Sequence, residues 1–144
     1  MHTAEALLDL HERAHSSPRR LLAHCRQLSA EELDRELAGF GYPSVRLQLH
    51  HMIGGEEYWI GVLEGRIQVD DNDSDYPTVE SLEAYRRRVF SATDKYLRAA
   101  SAHVFMRTLT HIYHHQGQIV AMCRLLGKPA AAMDYPIAPD SRTG

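Results

Sequence analysis

The chain has 144 residues, of which 44% are hydrophobic and 24% are charged, and its formal net charge at pH 7 is −3. This length and composition suit one globular domain, so residues 1–144 are expected to form a single domain. The acidic balance disfavours nucleic acid as a partner, and no apolar run approaches the roughly 18 residues that a membrane span needs. We therefore expect a cytoplasmic protein whose partners are neither nucleic acids nor membranes.

Apolar residues recur every three or four positions along most of the chain, which predicts an all-α protein. The first long helix should cover residues 3–27, with a kink or a restart at residues 16–18, because Pro18 lacks the backbone donor of the helix. Ser29 and Glu32 have the spacing of a capping box, which predicts a short helix that ends near residue 38.

Three further long helices are predicted in the rest of the chain. The second should span residues 44–64 and end at Gly65, and the third should begin after Thr78. The fourth should end at Gly127, followed by an extended C-terminal tail over residues 128–144. No glycine or proline separates the third helix from the fourth, and one helix of their joint length would measure roughly 70 Å, so a tight turn is expected at residues 99–101.

Four long amphipathic helices bury their apolar stripes as a four-helix bundle. The link between the second and third long helices, residues 65–78, can reach about 40 Å when extended, which is enough to cross the bundle. These two helices should then run parallel. Cys25 and Cys123 have neither a disulfide framework nor a Cys-x-x-Cys spacing, and both are expected to pack as small apolar side chains.

Two histidines lie four residues apart on the inward stripe of the last predicted helix. At this spacing the Cβ atoms of His111 and His115 lie about 5–6 Å apart, close enough for both imidazoles to bind one metal ion. His51 falls on the inward face of the second long helix and is the third candidate ligand. Burying polar rings without partners costs about 1–3 kcal/mol, and a shared metal removes that cost. The alternative is that all three are core histidines hydrogen-bonded to their neighbours.

Four further side chains are candidates for a place around this site or in its pocket: Glu56, Tyr58, His11 and His114. Glu56 could orient a metal-bound imidazole, because such rings usually donate their second N–H to a carboxylate or carbonyl oxygen. Tyr58 shares the face of His51, and His11 lies on the inward stripe of the first helix. His114 is expected either beside the substrate or at the bundle surface. The sequence assigns no catalytic role to any residue.

Two segments resemble the DinB/YfiT superfamily of four-helix-bundle metalloproteins. Residues 111–119 read HIYHHQGQI, which is similar to the family's H-x-x-x-H-R-G-Q-I, and a leucine–glycine ending follows at residues 125–127. In the second long helix, His51 is followed at five and eight positions by Glu56 and Trp59, as in the family. Gln116 departs from the pattern because it stands where the family has arginine, and the link between the last two long helices is shorter than in many members.

The resemblance implies a three-histidine metal centre of His51, His111 and His115, with its remaining positions open to water or substrate. Zinc is the divalent metal that best suits three imidazoles and a water, and nickel, iron and manganese are alternatives. The implied function is a metal-dependent enzyme of thiol S-transferase or hydrolase type. Its substrate would be a small molecule such as a low-molecular-weight thiol, and the chain would pair as a homodimer. The alternative is a non-catalytic metal-binding domain for stress response or partner binding.

Overall fold

The computed structural model describes residues 3–66, 72–98, 103–131 and 133, and of residues 103–106 it describes the backbone alone. These ranges contain no β-strand. Their five α-helices are α1 (Ala4–Cys25), α2 (Ala30–Asp34), α3 (Val45–Leu63), α4 (Val79–Leu97) and α5 (His103–Leu125). The prediction of an all-α bundle with four long helices is confirmed. Among the described helices, none is both long and apolar enough to cross a membrane.

Local signals in the sequence fix most of the helix ends. Ser29 and Glu32 form the expected capping box at the start of α2, and Thr78 caps α4 in the same way. Gly65 follows α3 with a φ of 73°, a backbone conformation that glycine adopts without steric cost. α2 ends at Asp34, four residues before the expected end, because the Leu37 amide donates to a carbonyl of the following loop.

α1 differs from the predicted first helix at Pro18. Of the kink or restart expected at residues 16–18, the restart is wrong, since α1 runs through this segment as one helix with Pro18 inside it. Ser17, Pro18 and Leu21 are all buried here. The packing of this continuous buried stretch therefore outweighs the loss of one backbone hydrogen bond at proline. The predicted turn at residues 99–101 lies outside the described residues.

α3 and α4 run in the same direction, as the long link between them predicts. His50 of α3 lies against Tyr85 of α4, with ring centroids 5.6 Å apart. Glu56, six residues further along α3, accepts a hydrogen bond from Thr93, eight residues further along α4. The main core lies between these helices, α1 and α5. Cys25 and Cys123 are buried in this core as free thiols.

A network of buried polar side chains joins α1, α3 and α4. Its centre is Glu56 of α3, whose two carboxylate oxygens lie 3.0 Å from His11 Nε2 and 2.7 Å from His15 Nε2. Thr93 donates to the same carboxylate at 2.6 Å. Nη1 of Arg86 lies 3.2 Å from Nδ1 of His15, the ring nitrogen that does not face Glu56. Both carboxylate oxygens of Glu83 accept hydrogen bonds from the Arg86 guanidinium. All six side chains are buried.

These contacts set the charges of the network. Burial opposes the charge of Glu56, but the neighbouring His15 and the hydrogen bonds from His11 and His15 outweigh it and hold the pKa of that carboxyl well below its usual range. Burial is also the main influence on His15, and it lowers the pKa of that imidazole. Both shifts make the folded protein take up protons less readily than the unfolded chain, so the network should lose stabilising energy in acid.

Replacing Glu56 tests this account. Glu56→Gln should lower the free energy of unfolding at pH 7 by about 3 kcal/mol, since one partner of a buried charged network is removed. Wild-type stability should fall below a pH of about 6.5, where unfolded His15 takes up a proton, and again below about 4.3, where unfolded Glu56 does. The second decrease should be smaller in the variant. Urea denaturation between pH 7 and pH 3.5 measures both effects.

The control is Glu31→Gln, which alters an exposed carboxylate of α2. This variant should keep the wild-type dependence of stability on pH. A Glu56→Gln variant that loses stability below pH 4.3 as steeply as the wild type would contradict the assigned role of Glu56.

Candidate metal centre

The structure brings the three predicted metal ligands together. His51 of α3 and His111 and His115 of α5 each offer a ring nitrogen, and these atoms all lie within 4.8 Å of one another. The ring centroids of His111 and His115 are 4.4 Å apart, as expected for two side chains one turn apart on a helix. The ring centroid of His51 lies 4.5 Å from that of His115, because α3 and α5 pack face to face here.

The separation of two of these nitrogens suits a tetrahedral ion. His51 Nε2 and His111 Nε2 are 3.3 Å apart. Zinc–nitrogen bonds of about 2.0–2.1 Å in a tetrahedral arrangement place two ligand nitrogens about 3.3–3.4 Å apart. A single proton could form a hydrogen bond between only two of the three rings, whereas one metal ion can coordinate a nitrogen of each ring. The donor set therefore fits a divalent metal.

The electrostatic environment favours neutral rings at this site. Burial lowers the pKa of His111 to about 4, and the nearby rings of His51 and His114 and the charge of Arg107 act in the same direction. Burial, together with His111 and His114, also lowers the pKa of His115 to about 4. At neutral pH both imidazoles thus keep a free lone pair, which is the form that coordinates metals.

Gly55 allows His111 to reach the site. A Cβ atom built at Gly55 would lie 2.1 Å from Cε1 and 2.8 Å from Nε2 of the His111 ring. No side chain fits within that distance, so α3 must present bare backbone to the imidazole at this position. Gly55 lies four residues after His51 and so on the same face of α3, where two consecutive glycines favour a close approach of another helix or space beside a metal.

Two further contacts that the sequence analysis missed hold the remaining rings. Tyr42, in the loop before α3, stacks on His51 with ring centroids 3.7 Å apart. Gln48 is fully buried, and its carboxamide nitrogen lies 3.0 Å from His115 Nδ1. The carboxamide oxygen of Gln48 has no hydrogen-bond partner among the described residues. If the carboxamide of Gln48 is rotated by about 180°, its oxygen accepts a hydrogen bond from Nδ1–H of His115. Nε2 of His115 is then the nitrogen that can bind the metal.

A cleft of about 650 Å³ opens beside the three imidazoles. His51 and His111 form part of its wall, so the candidate centre has one side open to a small molecule. The side chains around them include aromatic rings and two charged groups: Tyr42, Tyr58, Trp59, Asp73 and Arg107. Tyr58, a candidate pocket residue, lies on this wall. His50 also lies on this wall.

A second group of potential ligands comprises His11, His15 and Glu56, whose nitrogen and oxygen atoms also lie within 4.8 Å of one another. The Arg86 guanidinium donates to His15 Nδ1, so in the neutral ring the proton is on Nε2 and points to Glu56. A protonated nitrogen does not bind metal. This group is therefore a hydrogen-bonded network, and Glu56 orients His11 and His15 instead of a ring of the candidate metal centre.

His114 lies at the surface of α5, on the outer side of the candidate centre. It is exposed, and Gln118 Nε2 lies 3.1 Å from its Nε2. Its ring centroid is 4.8 Å from that of His115. Gln116, which replaces an arginine in the family-like motif, is buried and donates to the backbone carbonyl of Met133. Gln116 thus holds the segment after α5 and does not face the cleft.

Comparison with known proteins agrees with the fold. The profile of the DinB superfamily matches residues 13–123, a range that contains all three candidate ligands and α3, α4 and most of α1 and α5. A comparison with curated proteins gives no match. Since the matched range covers well over half of the chain, the protein belongs to the DinB superfamily.

Proposed function

We propose that this protein is a metal-dependent enzyme of thiol S-transferase or hydrolase type, in which His51, His111 and His115 hold one divalent ion. The observation that carries the proposal is the convergence of three imidazoles, two of which, His51 and His111, line a cleft of about 650 Å³. Zinc suits this donor set best. The substrate would be a small molecule, and a low-molecular-weight thiol is the first candidate.

The ligand set leaves room for chemistry at the ion. When bound, the ion would act as a Lewis acid and lower the pKa of a coordinated thiol or water, which yields a nucleophile near neutral pH. Three protein ligands with one side open are typical of catalytic zinc sites, whereas structural sites have four protein ligands. No carboxylate belongs to the described ligand group, so the positive charge of the ion would be available to a substrate.

The surrounding residues position the ligands. Gln48 fixes the orientation of His115, Tyr42 covers one face of His51, and Gly55 admits His111. Each ring is thus held by packing or a hydrogen bond before any ion binds, which reduces the cost of assembling the site. The alternative function, a non-catalytic metal-binding domain, would not require an open cleft.

The first prediction concerns metal content. Protein purified without a nickel column should contain close to one divalent metal per chain by elemental analysis. His51→Ala, His111→Ala and His115→Ala should each reduce this to a small fraction, because two imidazoles bind a metal far more weakly than three. His114→Ala is the matched control, since it removes an exposed neighbouring histidine of α5, and it should keep full metal content. Unchanged metal in the three ligand variants would refute the site.

The second prediction concerns the contact between α3 and His111. Gly55→Ala should lower zinc affinity at least tenfold, measured by competition with a chromogenic chelator, because the added methyl group displaces the His111 ring. Gly117→Ala is the control, since nothing lies within 4 Å of a Cβ at that exposed position of α5. Alanine is the better helix former by about 0.5–1 kcal/mol at both positions. Equal zinc affinity in the two variants would contradict the assigned role of Gly55.

The third prediction concerns turnover. The zinc-loaded protein, mixed with a panel of low-molecular-weight thiols and electrophilic acceptors, should form conjugates, and it should be assayed in parallel against small ester and amide substrates. Chelation should abolish the activity, and added zinc should restore it. A protein that binds stoichiometric zinc but converts neither class would instead support the non-catalytic domain.

A further inference from the structure

The cleft beside the candidate metal centre contains a cation, Arg107, that has no ion-pair partner in the described part of the chain. Arg107 lies one helical turn before His111 on α5, and both side chains line the cleft. Among residues 3–66, 72–98 and 103–131, no carboxylate forms an ion pair with Arg107. Asp73, on the same wall, is already paired with Arg46 at 3.0 Å. The charge of Arg107 is therefore available to a molecule in the cleft.

Trp59 holds the Arg107 guanidinium in place. The central carbon of the guanidinium lies 4.6 Å from the centroid of the Trp59 ring, a cation–π arrangement. A guanidinium stacked on an aromatic face keeps the N–H groups of its edge free. These groups match the two oxygens of a carboxylate, which they can bind through two parallel hydrogen bonds.

A divalent ion at the candidate metal centre would place a second positive charge beside the same cleft. Imidazole coordinates metals as a neutral ligand, so a divalent ion held by the three rings would keep its full charge. Arg107 and His111 are four residues apart, which corresponds to roughly 6 Å along a helix. A ligand that binds both the ion and Arg107 would carry one donor group for the ion and a carboxylate a few bonds away.

We propose that Arg107 is a specificity-determining residue that binds the carboxylate of an organic substrate, while a second group of the same molecule reaches the metal centre. This inference rests on the proposed function, since it assumes an ion at His51, His111 and His115. It goes further by naming the charge of the substrate and the residue that selects it. Trp59 acts through Arg107 as a positioning residue.

The test compares two thiols that differ only in charge away from sulfur. Cobalt(II)-loaded protein is titrated with 3-mercaptopropionate and with 3-mercaptopropionamide, and binding is followed by the visible absorption of the cobalt ion. The wild type should bind the carboxylate at least about tenfold more tightly than the amide, as expected for one charge-assisted hydrogen-bond pair. In Arg107→Gln this preference should fall to near one, and Arg107→Lys should keep part of it.

Arg124→Gln is the matched control, because it removes an exposed arginine from the other end of α5. It should retain the wild-type preference. A preference near one in the wild type, or an unchanged preference in Arg107→Gln, overturns the role of Arg107 while leaving the metal centre in place. A protein that takes up no cobalt, or whose spectrum responds to neither thiol, overturns the proposed function and this inference together.

Discussion

The close approach of α3 and α5 at Gly55 is the constraint on which the candidate centre depends. The His111 ring occupies the space where any other residue would place its Cβ atom. Two consecutive glycines in the middle of α3 weaken the helix by about 1 kcal/mol each, and the packing of α3 on α5 offsets this cost. The same approach sets His51 opposite the pair on α5. The geometry of the centre is therefore a property of the interface between the two helices.

Two groups of histidines in this bundle look alike in sequence and differ in their surroundings. Each contains a pair four residues apart on one helix and a third group on α3. In the core group the third member is Glu56, which also accepts from Thr93, and Arg86 donates to His15. At the candidate metal centre the third member is His51, and no carboxylate of the described ligand group balances a positive ion. The rings of the first group are hydrogen-bonded to a carboxylate, whereas those of the second have lone pairs that meet beside an open cleft.

Local signals made most of the fold predictable, and contacts between distant residues account for what was missed. The capping box at Ser29 depends on a few neighbouring residues, so it could be predicted, while the continuous helix at Pro18 depends on burial against other helices. The register of α3 and α5 indicated the three candidate ligands. Gln48 could have been found from its spacing of three residues before His51. The stacking of Tyr42 depends on a loop conformation that no periodic pattern encodes.

The spacing of the ligands along the chain has a consequence for folding. His51 and His111 are 60 residues apart in sequence, and the segment between them contains the whole of α4. An ion bound by both would join the ends of this segment and act as a reversible cross-link. Because the ion is released when the three rings separate, it would stabilise the folded chain by binding it in preference to the unfolded chain, and the gain would grow with the concentration of free metal. A metal at this interface would thus link the folding of α4, which lies within the closed loop, to the occupancy of the centre beside the cleft.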